Sequence, residues 1–264
     1  MEILGFIGAL LTGISLGLIG GGGSILIVPV LVYLFGVSPS LATAYSLFTV
    51  GVASSVGAYK YTREKLVDYK TAAVFAIPSF IGVFAARRFI VPSLPEAIFE
   101  MGGFTLTKDI LIMLVFAIVM LLASVSMIKK KKVSEEKEEK VSYNFPLIAL
   151  EGLGVGAVTG FVGAGGGFLI IPALVILAKL PMKLAVGTSL LIISTKSLFG
   201  FLGDLSSQQN IEWPFLLLIT GISVGGIYIG SYLSKFIPGS KLKPAFGWFV
   251  FVMGIYIIGK QFLF

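Results

Sequence analysis

Apolar runs separated by short polar or charged breaks divide the chain into ten stretches, at 3–19, 24–35, 40–59, 69–91, 107–128, 145–162, 167–178, 183–202, 213–236 and 244–264. A helix needs about 20 mostly apolar residues to cross a bilayer, and most of these stretches reach or approach that length. The pattern predicts an all-α membrane protein of eight to ten helices. Two stretches, beginning at Ser24 and Gly167, are too short to cross comfortably. Each follows a glycine cluster and carries a proline, Pro29 or Pro172. They predict one short, broken helix in each half of the chain.

Lys129 to Lys132 and the mixed charges from Glu135 to Lys140 separate the halves. They read as a solvated linker at 129–143 between transmembrane repeats at 1–128 and 144–264. Shifted by 143 positions, Gly20, Gly22, Gly23, Leu26, Ile27, Pro29 and Leu31 fall on Gly163, Gly165, Gly166, Leu169, Ile170, Pro172 and Leu174. The match runs on without a gap through Ser46 and Ser189, Ser54 and Ser197, and Gly57 and Gly200. Chance can match leucines; it does not match ordered glycines and prolines. Such self-similarity marks transporters built from internal repeats.

Charge then suggests orientation. The linker lysines place it in the cytoplasm, and Lys60, Arg63, Lys65 and Lys70 place the loop near Arg63 there too. The equivalent stretch from Asp204 to Glu212 has no Lys or Arg and reads as outside, as does the loop carrying Glu96 and Glu100. Arg87 and Arg88, at the preceding helix end, argue weakly against that. Five segments per half, an odd number, would invert one repeat relative to the other. Both termini of this multi-pass cell-membrane protein are then expected outside. The first apolar run lacks a basic leader and reads as a retained helix.

Composition agrees. Of 264 residues 56% are hydrophobic and 12% charged, against about 25% charged in a soluble domain. With no Cys and no His, cysteine catalysis, disulfides, Cys/His zinc sites and histidine relays are excluded. No cofactor is expected, and intramembrane carboxylates are too few for an embedded enzyme. The net charge of +7 sits at the ends of apolar stretches, which fits membrane orientation rather than nucleic acid. No Lys-Ser/Thr follows the glycines, so they are not a nucleotide loop.

The candidate chemistry lies in Gly21, Gly22, Gly23 and Ser24 and in Gly165, Gly166 and Gly167. A helix restarting inside the membrane presents free N–H groups and a positive dipole end, which bind an anion without a basic side chain. The alternative is that the glycines simply let helices pack closely. Ser46, Thr188 and Ser189 follow the short helices and could donate to a bound oxyanion, or be satisfied by backbone. Lys196 lies about 20 Å into its helix. It faces either the substrate path, as buried charges do, or snorkels outward to Asp204 on the same face. Glu151, with Asp204 a candidate for ion coupling, sits about 9 Å in, where it serves proton coupling or lies at the headgroups.

The glycine cluster running into proline, then Ala185-Val186-Gly187-Thr188-Ser189-Leu190-Leu191 and Gly200-Phe201-Leu202-Gly203, resembles the TauE/SafE sulfite-exporter family over nearly the whole chain. The resemblance implies gradient-driven transport of a small sulfur-containing anion such as sulfite, a sulfonate, sulfoacetate or thiosulfate, its motif falling on Gly20 to Pro29 and Gly163 to Pro172. Relatives often carry asparagine where Lys196 stands and histidine where Asp204 stands. A lysine there could favour a more highly charged anion or replace a coupling ion. The expected mechanism is alternating access by rocking of one repeat against the other. An anion channel, or a carrier of another small anion such as a carboxylate, uses the same helix ends. Lipid is the surrounding partner, and a homo-oligomer is compatible with all of this.

Overall fold

Glycine recurs every fourth position on two helices, and there backbone packs on backbone. In the computed structural model, which describes residues 2–101, 104–128, 145–163, 165–176, 178, 180–205, 211–234, 236 and 239–263, helix α1 spans Glu2–Ile19 and α7 spans Phe145–Val162. On α7, a side chain at Gly152, Gly156 or Gly160 would strike the backbone of Phe75, Ser79 or Val83 on α4 (Tyr69–Ala85). On α1, Gly13 and Gly17 lie against Ser223, Gly226, Ile227 and Gly230 of α10 (Trp213–Leu233). Lipid offers no hydrophobic gain for helix association, so close approach at small residues supplies dispersion contacts instead.

The other elements follow from the same pattern. A buried 3₁₀ turn, Gly21–Ile25, leads into α2 (Ile27–Leu34) and then α3 (Pro39–Arg63). After α4 the chain widens into a π turn, Ala86–Ile90, and closes with the short α5 (Val91–Ser93). Pro92, lacking an N–H, cannot continue the α-helical ladder there. Helices α6 (Lys108–Ile128), α8 (Gly167–Ile176), α9 (Met182–Leu205) and α11 (Gly239–Leu263) complete the fold. α1 packs along α10, α4 along α7, α3 along α9 and α6 along α11.

This is an all-α membrane protein. Among the described residues, five helices are long and apolar enough to cross a bilayer: Pro39–Arg63, Tyr69–Ser93, Lys108–Val125, Lys183–Leu205 and Trp213–Leu233. Its exterior is apolar, with Ile77, Leu122, Leu150 and Val252 exposed, while Thr49, Ser54, Ser197 and Lys196 are buried. That inversion of the usual arrangement is what a lipid solvent requires.

Two expectations need revision. The loop carrying Glu96 and Glu100 folds instead as an antiparallel hairpin, β1 (Ala97–Met101) with β2 (Phe104–Thr107). The first short helix begins at Ile27 rather than Ser24, which lies inside the 3₁₀ turn. The α1–α10 and α4–α7 glycine faces each join helices from different sequence halves. The expected linker at 129–143 lies outside the described residues; α6 ends at Ile128 and α7 begins at Phe145.

The glycine faces give a direct test. Gly156→Val should destabilise the detergent-solubilised chain by about 1–3 kcal/mol through overpacking against Ser79. Gly154→Val, on the same helix but with open space around it, should unfold close to wild type in the same thermal melt.

Candidate functional site

Both glycine clusters interrupt their helices by turning left-handed. Gly20 and Gly163 each have φ of 74°, and Gly165 and Gly166 have φ of 63° and 68°. Only glycine visits that region without strain. The breaks meet each other: Gly21 and Gly167 are in backbone contact, so neither tolerates a side chain. Gly20 rests on Val186 of α9, and Gly163 on Thr43 of α3. Each break is thus seated against the long helix of the other half. Close packing and proximity of the two breaks are one fact here.

Around this junction the polar groups gather. Leu169 N and Ile170 N both donate to Gly166 O, at 3.0 and 3.1 Å, so the amides of Gly165, Gly166 and Gly167 precede the first bonds of the restarted helix. Position Gly165 approaches Ser24 and Val50, and Gly20 approaches Ser189 Oγ. Ser24 Oγ donates to Gly21 O at 2.7 Å and Ser189 Oγ to Val186 O at 2.8 Å, so both protons are held by backbone. Ser46, Ser54 and Ser197 are buried, and among the described residues their hydroxyls have no hydrogen-bond partner.

Lys196 is fully buried in this cluster. Its Nζ donates to Thr159 Oγ1 at 2.8 Å and lies next to Gly166, 2.6 Å from where a Cβ would stand. Thr159 and Lys196 lie equally deep, each about 21 Å along its helix from the first residue of α7 or α9. Among the described residues no carboxylate stands within ion-pair distance of Nζ. A buried ammonium without a counter-charge costs several kcal/mol.

The other sequence candidates stand elsewhere. Asp204 does not receive Lys196: its Oδ1 pairs with Arg87 Nη1 at 3.4 Å, and both side chains are buried. Thr188 Oγ1 accepts from Asp68 N at 2.9 Å, so it faces the start of α4 rather than the glycine junction. Glu151 is half-buried on α7, about 12 Å along the helix from Thr159, and forms no ion pair among the described residues. Three residues were missed. Thr159 carries no charge to flag it, Arg87 read as a helix-end cation, and Lys60, which donates to Ser231 O and Oγ at 3.2 and 3.0 Å, read only as an orienting charge.

Interrupted helices meeting inside an apolar bundle, with a buried cation beside them, mark a polytopic membrane protein, and comparison with known proteins makes it a transporter. The model of the family described as sulfite exporter TauE/SafE matches residues 5–257, and the chain belongs to that family. A probable membrane transporter protein of Xylella fastidiosa is 28% identical over 260 residues, covering 95% of this chain and 92% of that one. One from Bacillus subtilis is 30% identical over 239 residues, covering 82% and 83%. One from Methanocaldococcus jannaschii is 26% identical over 271 residues, covering 97% and 93%. No solved structure matches the chain.

Thr159→Val should leave Lys196 without its acceptor and lower stability by about 1–3 kcal/mol. Adding Lys196→Met should recover that loss in thermal melts, because the stranded charge is then gone.

Proposed function

We propose that the chain is a secondary carrier of a small sulfur-containing anion, bound where the two broken helices meet. The observation that carries this reading is Lys196, fully buried beside Gly166, with a neutral threonine as its side-chain acceptor. A transported anion supplies the charge that the protein withholds. The leading amides of the glycine turns and the open hydroxyl of Ser46 add donors, while Ser24 and Ser189 contribute if they turn from their backbone acceptors. Sulfite, sulfonates, sulfoacetate and thiosulfate share the oxyanion face that such donors recognise. Glu151 and Asp204 remain candidates for ion coupling only through a change of partners.

The carrier is built of inverted repeats in this proposal, with the linker cytoplasmic and both termini outside. Three pairings support the repeat itself. Helices α1 and α7 and the φ angles of Gly20 and Gly163 agree at the sequence offset of 143. Gly82 lies against Leu153 and Ala157, and Gly226 against Leu10 and Ile14, contacts that correspond at nearly the same offset. The moving bodies are then composites of both halves: α1 travels with α10, and α4 with α7. Access alternates as contacts between such composites open at one side and close at the other.

A thermal-shift screen of the purified protein tests the substrate class. Sulfite, thiosulfate or sulfoacetate should raise the melting temperature where carboxylates of equal charge do not, and Lys196→Met should weaken that response at least about tenfold in midpoint concentration. Equal responses in wild type and variant would return the lysine to a purely structural part.

A further inference from the structure

We propose that Arg87 is a second anion-binding residue on the same path, and that Asp204 is the resident carboxylate an arriving anion displaces from it. The inference rests on the carrier reading. Arg87 is fully enclosed, yet the structure uses little of it. Nη1 meets Asp204 Oδ1 at 3.4 Å, long against the 2.7–2.9 Å of a tight charged pair, and among the described residues Nε and Nη2 have no partner. An arginine kept for structure alone gains most from a bidentate grip on its carboxylate. Here one nitrogen-bearing edge is left over, and that edge has the spacing that grips two oxygens of an oxyanion.

The backbone aims it deliberately. Arg87 lies in the π turn Ala86–Ile90, which buries it while its neighbour Arg88 stays exposed. Such turns are rare and are found frequently at functional sites. Along α9, Lys196, Gly200, Gly203 and Asp204 share one face, with Gly200 against Val83 and Gly203 against Arg87. The two cations therefore border one stripe, about 10–12 Å apart along the axis. An anion leaving Lys196 toward the end of α9 meets Arg87 next.

The exchange has a consequence for access. Asp204 and Arg87 tie α9 to the π turn that follows α4, and separating them leaves a buried guanidinium uncompensated. Another negative charge on Arg87 removes that penalty, so this end of the α4–α9 contact opens readily only with an anion in place. At the end of α3, Lys60 holds Ser231 of α10 through neutral oxygens, so the exchange belongs to one end of the molecule.

Calorimetric titration of the full chain in detergent with sulfite tests the binding claim. Asp204→Asn removes the competing carboxylate and should tighten sulfite binding about tenfold, the scale of one charge-assisted hydrogen bond. Arg87→Gln in that background should lose the gain. Unchanged affinity in Asp204→Asn overturns the proposal while leaving Lys196 untouched; no heat from wild type with any sulfur anion removes the carrier reading and this one together. The opening is tested without touching either charge. A Cβ at Gly200 would stand 3.7 Å from that of Val83, within bridging reach for paired cysteines, and the chain has no other cysteine. Because sulfite cleaves disulfides, the bridge in Val83→Cys with Gly200→Cys is formed by micromolar cadmium on the two thiolates. Sulfite flux into proteoliposomes should stop with cadmium and return with a chelator, wild type being indifferent. Full flux through the bridged protein sinks the opening of α4 from α9.

Discussion

A helix that stops inside the membrane exposes amides which hydrocarbon cannot satisfy. The protein can interrupt two helices only because each interruption is covered by the other. The contact between Gly21 and Gly167 is the constraint on which the interior depends. It removes side chains from both clusters, fixes left-handed turns at Gly163, Gly165 and Gly166, and brings Gly166 against Lys196 and Thr159. Without that mutual cover the leading amides of the turns would face lipid, where an unpaired amide costs several kcal/mol.

The interior is asymmetric where chemistry is expected. At the sequence offset of 143 positions Thr159 and Lys196 correspond to Leu16 and Ala53, which pack in an apolar cluster with Leu190 and Ile227. One half therefore carries a cation and its acceptor; the other presents packing in the same place. The ends of α3 and α9 differ in kind too, a lysine on neutral oxygens at one and a buried ion pair at the other.

Much of this was legible in the sequence. The apolar periods gave the spanning helices to within a few residues, and the glycine-proline motifs marked both interruptions. Lys196 stood out because a charge deep in an apolar run has few innocent explanations. Partners were harder to read. Asp204 lies on the same face as Lys196, yet burial of Arg87 by a π turn gives it a nearer cation, and nothing in a run of helix formers announces such a turn. Thr159 gave no signal because a threonine in a membrane helix is ordinarily content with its own backbone. The hairpin was the avoidable omission: Gly102-Gly103 between strand-like residues is a hairpin signature, hidden by the expectation that everything between spans is loop.

The glycine faces also set a schedule for assembly. α1 finds its closest packing on α10, and some two hundred residues separate them in the chain. Helix α1 must wait in the bilayer, its bare glycine stripe covered only by lipid tails, until α10 has been synthesised. Neither half severed from the other would hold a complete interface, so this fold is earned late, when the last partners are delivered.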